Sequence, residues 1–146
     1  MINLCMVLDD RYSKMARRCI HDIMIRQNPD TETTIYILGD NLSKEAVRDI
    51  SIASSRCKIM LFSVSSNDIP ISSPNGAFSY LNKTIYLKFL IPEILKNTGI
   101  DRVLYIDVDM LCRRDLTDLY NYDIQGKAIG AVKDQFYIFN NIKTVR

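Results

Sequence analysis

Apolar and polar positions fall in blocks along this chain, and the blocks alternate between two periodicities. Residues 2–8 form a short apolar run that ends in Asp9-Asp10, which predicts a strand buried on both faces. Met15, Ile20, Ile23 and Met24 then recur at approximately helical spacing, with Arg17, Arg18, Asp22 and Arg26 elsewhere, until Asn28-Pro29-Asp30 ends the helix. Residues 33–38 are β-branched and predict a second strand. After the turn at Gly39-Asp40-Asn41, Ser43 is the expected N-cap of a helix that carries Ile50 and Ile52. Residues 58–64 predict a third strand, and 65–76 form a Ser/Pro/Asn-rich loop of the kind that is usually functional or disordered.

Residues 80–95 are apolar nearly all round, which predicts a buried helix kinked or restarted by Pro92 and stopped by Gly99. A fourth strand is expected over 102–106, one helical turn over 115–120, and two short strands over 128–132 and 136–139. Strands alternating with helices give an α/β fold: a Rossmann-like, mostly parallel sheet with helices on both faces. No repeat or linker divides residues 1–146, which read as a single domain. Ligands of such sheets bind at the carboxyl ends of the strands, so Asp9-Asp10 and the later Asp107 and Asp109 are expected at one edge.

Composition narrows the partners. The 146 residues are 47% hydrophobic and 25% charged, enough for one globular core, and the formal net charge is only +2. Lys and Arg read as scattered, which disfavours nucleic acid. No apolar window is long enough to span a bilayer, although peripheral membrane contact is compatible with the chain. The N-terminus lacks a basic leader and a small-residue cleavage site, so it reads as a first strand and not a secretory signal. Cys5, Cys19, Cys57 and Cys112 form neither a C-x-x-C pair nor a Cys/His cluster; reduced, mostly buried thiols in a cytoplasmic protein are expected. His21, the only histidine, reads as structural.

The chemistry concentrates in Val-Leu-Tyr-Ile-Asp-Val-Asp, residues 103–109. In an extended backbone, side chains two apart project from one face, so Asp107 and Asp109 are expected to point at one object. Like charges held that close favour a cation between them, and hard carboxylate oxygens suit Mg²⁺ or Mn²⁺. Such a metal can bridge nucleotide phosphates, so a nucleotide-dependent transferase is the reading. Three alternatives compete. A phosphatase of the haloacid-dehalogenase type also carries D-x-D after a strand, but only 37 residues follow Asp109 here. A phosphoacceptor receiver domain needs an aspartate closing its third strand, where this chain has Ser65-Ser66. The third is a non-catalytic nucleotide- and metal-binding or assembly module.

Four pieces in order resemble glycosyltransferase family 8, the group containing bacterial lipopolysaccharide galactosyltransferases and glycogenin. They are Leu8-Asp9-Asp10-Arg11-Tyr12, residues 86–95, residues 103–109, and Gly130 through Asp134. The resemblance implies a GT-A type fold, a UDP-sugar donor (UDP-galactose or UDP-glucose), Mn²⁺ or Mg²⁺, and transfer with retention. The implied acceptor is a glycan or lipid-linked saccharide in lipopolysaccharide or other cell-surface glycan synthesis, at the inner face of the membrane. Position by position, it implies that Val7 contacts the uridine through its backbone, Asp9 accepts from the uracil ring and Tyr12 stacks on it. Arg11 stands where the family usually has Asn at the ribose, and Lys88 where the family has an arginine that reaches the phosphates. Asp107 and Asp109 are the implied metal ligands, Val108 lends backbone contacts to the ribose, and Asp134 holds a substrate hydroxyl. The family's C-terminal H-x-x-G-x-x-K type motif is absent, so the chain reads as a shortened transferase without the acceptor half. Exposed sheet edge would then favour a homo-oligomer or a full-length partner.

Overall fold

The computed structural model describes residues 1–53, 55–66 and 83–132. Four strands, β1 (Ile2–Asp9), β2 (Thr33–Asp40), β3 (Lys58–Val64) and β4 (Leu104–Tyr105), form one sheet in the order β3-β2-β1-β4. All three pairings are parallel, with Leu4 opposite Ile35 on one side and Leu104 on the other. Parallel neighbours need crossover connections, and α1 (Ser13–Arg26) and α2 (Lys44–Ser51) supply the first two.

The central strand explains the layering. Successive side chains of β1 leave opposite faces, and both faces are covered, so Ile2 through Val7 are buried without a polar alternation. Ile2, Leu4, Met6 and Leu8 pack with Ile35, Ile37, Ile50 and the inner face of α1, namely Ala16, Cys19, Ile20, Ile23 and Met24. Cys5 and Val7 face the other way, against Tyr36, Leu38, Leu87, Ile91 and Leu95. Ser43 caps α2 as its sequence predicts, its Oγ accepting from Ala46 N at 3.2 Å. Cys5 and Cys19 are buried while Cys57 and Cys112 are only partly so, and none of the four forms a disulfide among the described residues. Burial pushes the Cys5 thiol up to about 12 and, helped by the negative charge of Asp22, the Cys19 thiol to about 11.

Several expectations are corrected. Over the described part of 80–95 the chain is a 3₁₀ helix, Lys83–Leu90, followed by a short α3, Ile91–Leu95, and a second 3₁₀ turn, Lys96–Thr98. Pro92 sits in the first turn of α3, where its missing N–H costs nothing, so it starts a helix and does not kink one. Three residues per turn align Thr84, Leu87 and Leu90, which leaves Phe89 69% exposed. Gly99 ends the segment in the left-handed region at φ +76°. The fourth strand shrinks to two residues, extended by one bond from Ile106 N to Cys5 O at 2.9 Å. Residues 128–132 pair with no strand among the described residues, and Ile129 and Val132 stand 81% and 90% exposed. The expected strand at 136–139 lies outside the described residues. Met15 and Ile52 are exposed and not core.

Asp40, at the end of β2, gathers the chain on that side. Its carboxylate accepts from Ser66 N at 2.9 Å, Thr84 Oγ1 at 2.5 Å and Asn41 Nδ2 at 3.1 Å. Burial pushes its pKa up, but these donors outweigh burial and hold it below the ordinary 3.8. A depressed carboxylate stabilises the fold above the unfolded value, and that contribution is lost as pH falls through the folded value. Thermal unfolding should therefore show Asp40→Asn less stable than the parent near neutrality, with the two curves converging below about pH 4. In denaturant unfolding, Leu4→Ala, in the fully enclosed layer, should cost about 2–5 kcal/mol. Ile52→Ala, at 56% exposure, should stay within about 0.5 kcal/mol of the parent.

Candidate functional site

From β1 the chain crosses first towards β2 and β3, whereas β4 lies on the opposite side of β1. The crevice between β1 and β4 is thus the point where the strand order reverses, and in open α/β sheets ligands bind outside the carboxyl ends of strands there. Asp9 closes β1 directly opposite Asp40, and Asp107, Val108 and Asp109 follow β4. Residues about a hundred positions apart are brought to one edge.

Asp107 and Asp109 do not lie on an extended strand. Met110 N donates to Asp107 O at 3.2 Å, closing a turn over residues 107–110. The turn preserves the expected sidedness: Val108 is buried in the α1 layer and both aspartates are exposed. Tyr105 Oη donates to Asp107 Oδ1 at 2.6 Å. Burial, this hydrogen bond and the charges of Asp107 and Asp109 push the Tyr105 pKa up, so the phenol remains a donor throughout the physiological range. Tyr105 was missed from sequence; its signal was its place two residues before Asp107, on the same face.

The following segment is bonded down onto α1. Cys112 N donates to Asp22 Oδ2 at 2.7 Å, and Gln27 uses both ends of its amide, to Thr117 Oγ1 at 2.9 Å and from Leu116 N at 3.2 Å. Asp115 accepts from Asn28 N at 2.6 Å and Thr117 N at 2.7 Å, just ahead of the short helix α4 (Thr117–Tyr120). Tyr120 Oη closes the loop on Arg102 O at 3.0 Å and receives Asn3 Nδ2 at 3.1 Å.

Across the crevice, Asp9 caps the 3₁₀ turn Asp10–Tyr12 by accepting from Arg11 N at 3.0 Å. The Arg11 guanidinium folds back onto the same carboxylate, Nη2 at 2.7 Å and Nε at 3.2 Å, and lies 5.9 Å from the centre of the Tyr12 ring. Arg11 thus covers the two groups for which the resemblance implies base contacts. The pair is solvated on the Arg11 side, so its strength is modest and a ligand can compete with it. Val7 is buried against the Leu87 layer, so only its backbone is available to a ligand. Lys88 sits in the 3₁₀ helix that packs on β1, with Nζ 6.0 Å from the Phe89 ring centre, and makes no ion pair with Asp107 or Asp109. Asp134 lies outside the described residues.

The donor set of the acidic turn fits a hard divalent cation that a substrate completes. Asp107 presents a hydrogen-bonded carboxylate, and among the described residues Asp109 has no hydrogen bond or ion pair. No group of three or more His, Cys, Asp or Glu converges among the described residues. Mg²⁺-type ions are commonly held by one or two carboxylates plus substrate phosphates, which is the arrangement two aspartates allow.

Comparison with known proteins supplies the lineage. The chain is 26% identical over 143 residues to a putative glycosyltransferase of Haemophilus influenzae, covering 96% of this chain and 41% of that protein. It is 22% identical over 128 residues to general stress protein A of Bacillus subtilis, covering 86% of this chain and 44% of that one. Its fold overlays the galactosyltransferase LgtC, solved in complex with donor and acceptor sugar analogs, at a TM-score of 0.70 and 21% identity, over 84% of this chain and 43% of that one. The chain therefore spans less than half the length of these relatives. Residues 3–146 match the family model described as glycosyl transferase family 8, and the chain belongs to that family.

Proposed function

We propose that residues 1–146 are the nucleotide-sugar-binding domain of a hexosyltransferase that takes a UDP-sugar, UDP-galactose or UDP-glucose, with Mn²⁺ or Mg²⁺. The observation that carries this reading is that Asp9 and the Asp107–Asp109 turn follow the adjacent parallel strands β1 and β4 at the same carboxyl edge, where the strand order reverses. Asp107 and Asp109 would hold the ion, with Tyr105 fixing the Asp107 carboxylate. When bound, the ion neutralises charge on the departing diphosphate. Asp9 and Tyr12 would read and stack the base once Arg11 swings aside, and the backbones of Val7 and Val108 would line the nucleoside. Lys88 would add positive charge towards the diphosphate after leaving Phe89, and Asp134 would bind a substrate hydroxyl. Retention of anomeric configuration, a glycan or lipid-linked saccharide acceptor, and a cytoplasmic setting at the inner face of the membrane complete the proposal. Family membership supports these parts.

Thermal unfolding with UDP and Mn²⁺, separately and together, tests the site. A ligand at about a hundred times its dissociation constant adds roughly 2.7 kcal/mol, or roughly 5–10 °C for a chain of this size. The expected result is a shift that needs both components and disappears in Asp107→Asn/Asp109→Asn. A metal-independent shift, or one the double variant keeps, would sink the assignment. Calorimetric titration of Arg11→Ala should show UDP bound about 2–5-fold more tightly, since the solvent-exposed pair with Asp9 no longer has to open.

A further inference from the structure

An open depression of about 480 Å³ lies between α1 and α2, lined by Lys14, Arg17, Arg18, His21, Asp49 and Ile52. Lys14, Arg17, Arg18 and His21 follow the i, i+3, i+4, i+7 spacing of one helical stripe, and all four are exposed. The stripe is the outer face of α1, because Ala16, Cys19, Ile20 and Ile23 occupy the side turned to the sheet. One turn beyond His21, Ile25 continues it at 62% exposure, and Ile52 stands beside it at 56%. Asp49 lies 3.8 Å from Arg17, and Lys14 also lines a smaller depression with Asp10, Glu45 and Asp49, so acids offset part of the stripe's charge at its α2 side and leave Arg18 the cation furthest from them. Read as a linear sequence, the Lys and Arg residues look scattered; the helix collects three of them on one face.

We propose that this face docks on an anionic lipid bilayer. The three positive side chains run along about 6 Å of helix, and His21 and Ile25 carry the same exposed face on by about another 10 Å, a length suited to a surface and not to one phosphate. The two exposed isoleucines are of no use to a nucleic-acid backbone, whereas an interfacial helix buries such side chains at the headgroup and acyl boundary. Lysine and arginine add affinity for an anionic leaflet in proportion to their number near it. Lys14 follows the turn that carries Asp9 and Tyr12, so the docked face begins beside the crevice and holds that edge close to the membrane. The docking surface is independent of the donor-site assignment.

Sedimentation of the purified chain with vesicles of phosphatidylcholine alone, or with about a third phosphatidylserine, tests it. Expected are binding to the anionic vesicles only, release by raising salt, and a roughly 30-fold weaker partition for Lys14→Gln/Arg18→Gln, five- to sixfold per charge. Ile25→Ser/Ile52→Ser should weaken it further while leaving salt sensitivity intact. Circular dichroism confirms that each variant is folded, and the salt response of the parent decides the matter if one is not. Equal binding to neutral vesicles, binding indifferent to salt or to Lys14→Gln/Arg18→Gln, or no binding overturns the proposal. So does capture of duplex DNA with no vesicle binding, which would make the stripe a nucleic-acid surface.

Discussion

The short parallel contact between β1 and β4 is what the rest of the site depends on. Two register pairs, Leu4 with Leu104 and Cys5 with Tyr105, and one further bond from Ile106 bring the acidic turn beside the end of β1. So brief a ladder is weak by itself, and its support comes from the segment after it. Gln27 is 2% exposed with both amide ends bonded to that segment, and Asp22, Asn28 and Asn3 add bonds from the helix, its end and the first strand. A buried amide satisfied at both ends, as that of Gln27 is, resists displacement, because any slip strands its donor or acceptor away from water. The turn is therefore positioned by the opposite end of the loop and by α1 more than by its own strand.

Charge is distributed in keeping with that architecture. Asp9, Asp10, Asp40, Asp107 and Asp109 gather at the carboxyl edge of the sheet, where parallel strands end and loops are free to present side chains. Some of these acids are structural: Asp40 holds Ser66 and Thr84, and Asp10 accepts from Ser43 N at 2.7 Å, joining the end of β1 to the start of α2. Asp107 and Asp109 are left facing solvent. The opposite charge lies on the outer face of α1, so a formal net charge of +2 conceals a separation of acidic edge from basic flank. Total charge sets no field of this kind; placement does.

Much of the framework was legible in the sequence because it depends on local pattern. The three apolar runs became β1, β2 and β3, Ser43 capped its helix, Gly99 ended its segment, and the D-x-D pair followed the fourth strand as its position required. These features depend on period, capping and turn chemistry, which a chain of residues carries within itself. Local pattern misled where a partner was needed: residues 128–132 have strand composition but find no strand to bond among the described residues, and residues 83–90 have helical composition but pack on β1 with a period of three.

By itself the sequence determined an α/β chain with acids at the ends of its first and fourth strands. The tertiary structure decided what those acids touch: Asp9 is held by Arg11, Asp107 by Tyr105, and Asp109 lies open in a turn with Val108 buried beneath it. It also decided that four basic side chains of α1 share one outer face with Ile25. The reason is that alternation and helical period are properties of neighbouring residues, whereas a hydrogen bond between positions ninety apart, or the side of a helix left uncovered, exists only after the sheet has chosen which faces to bury.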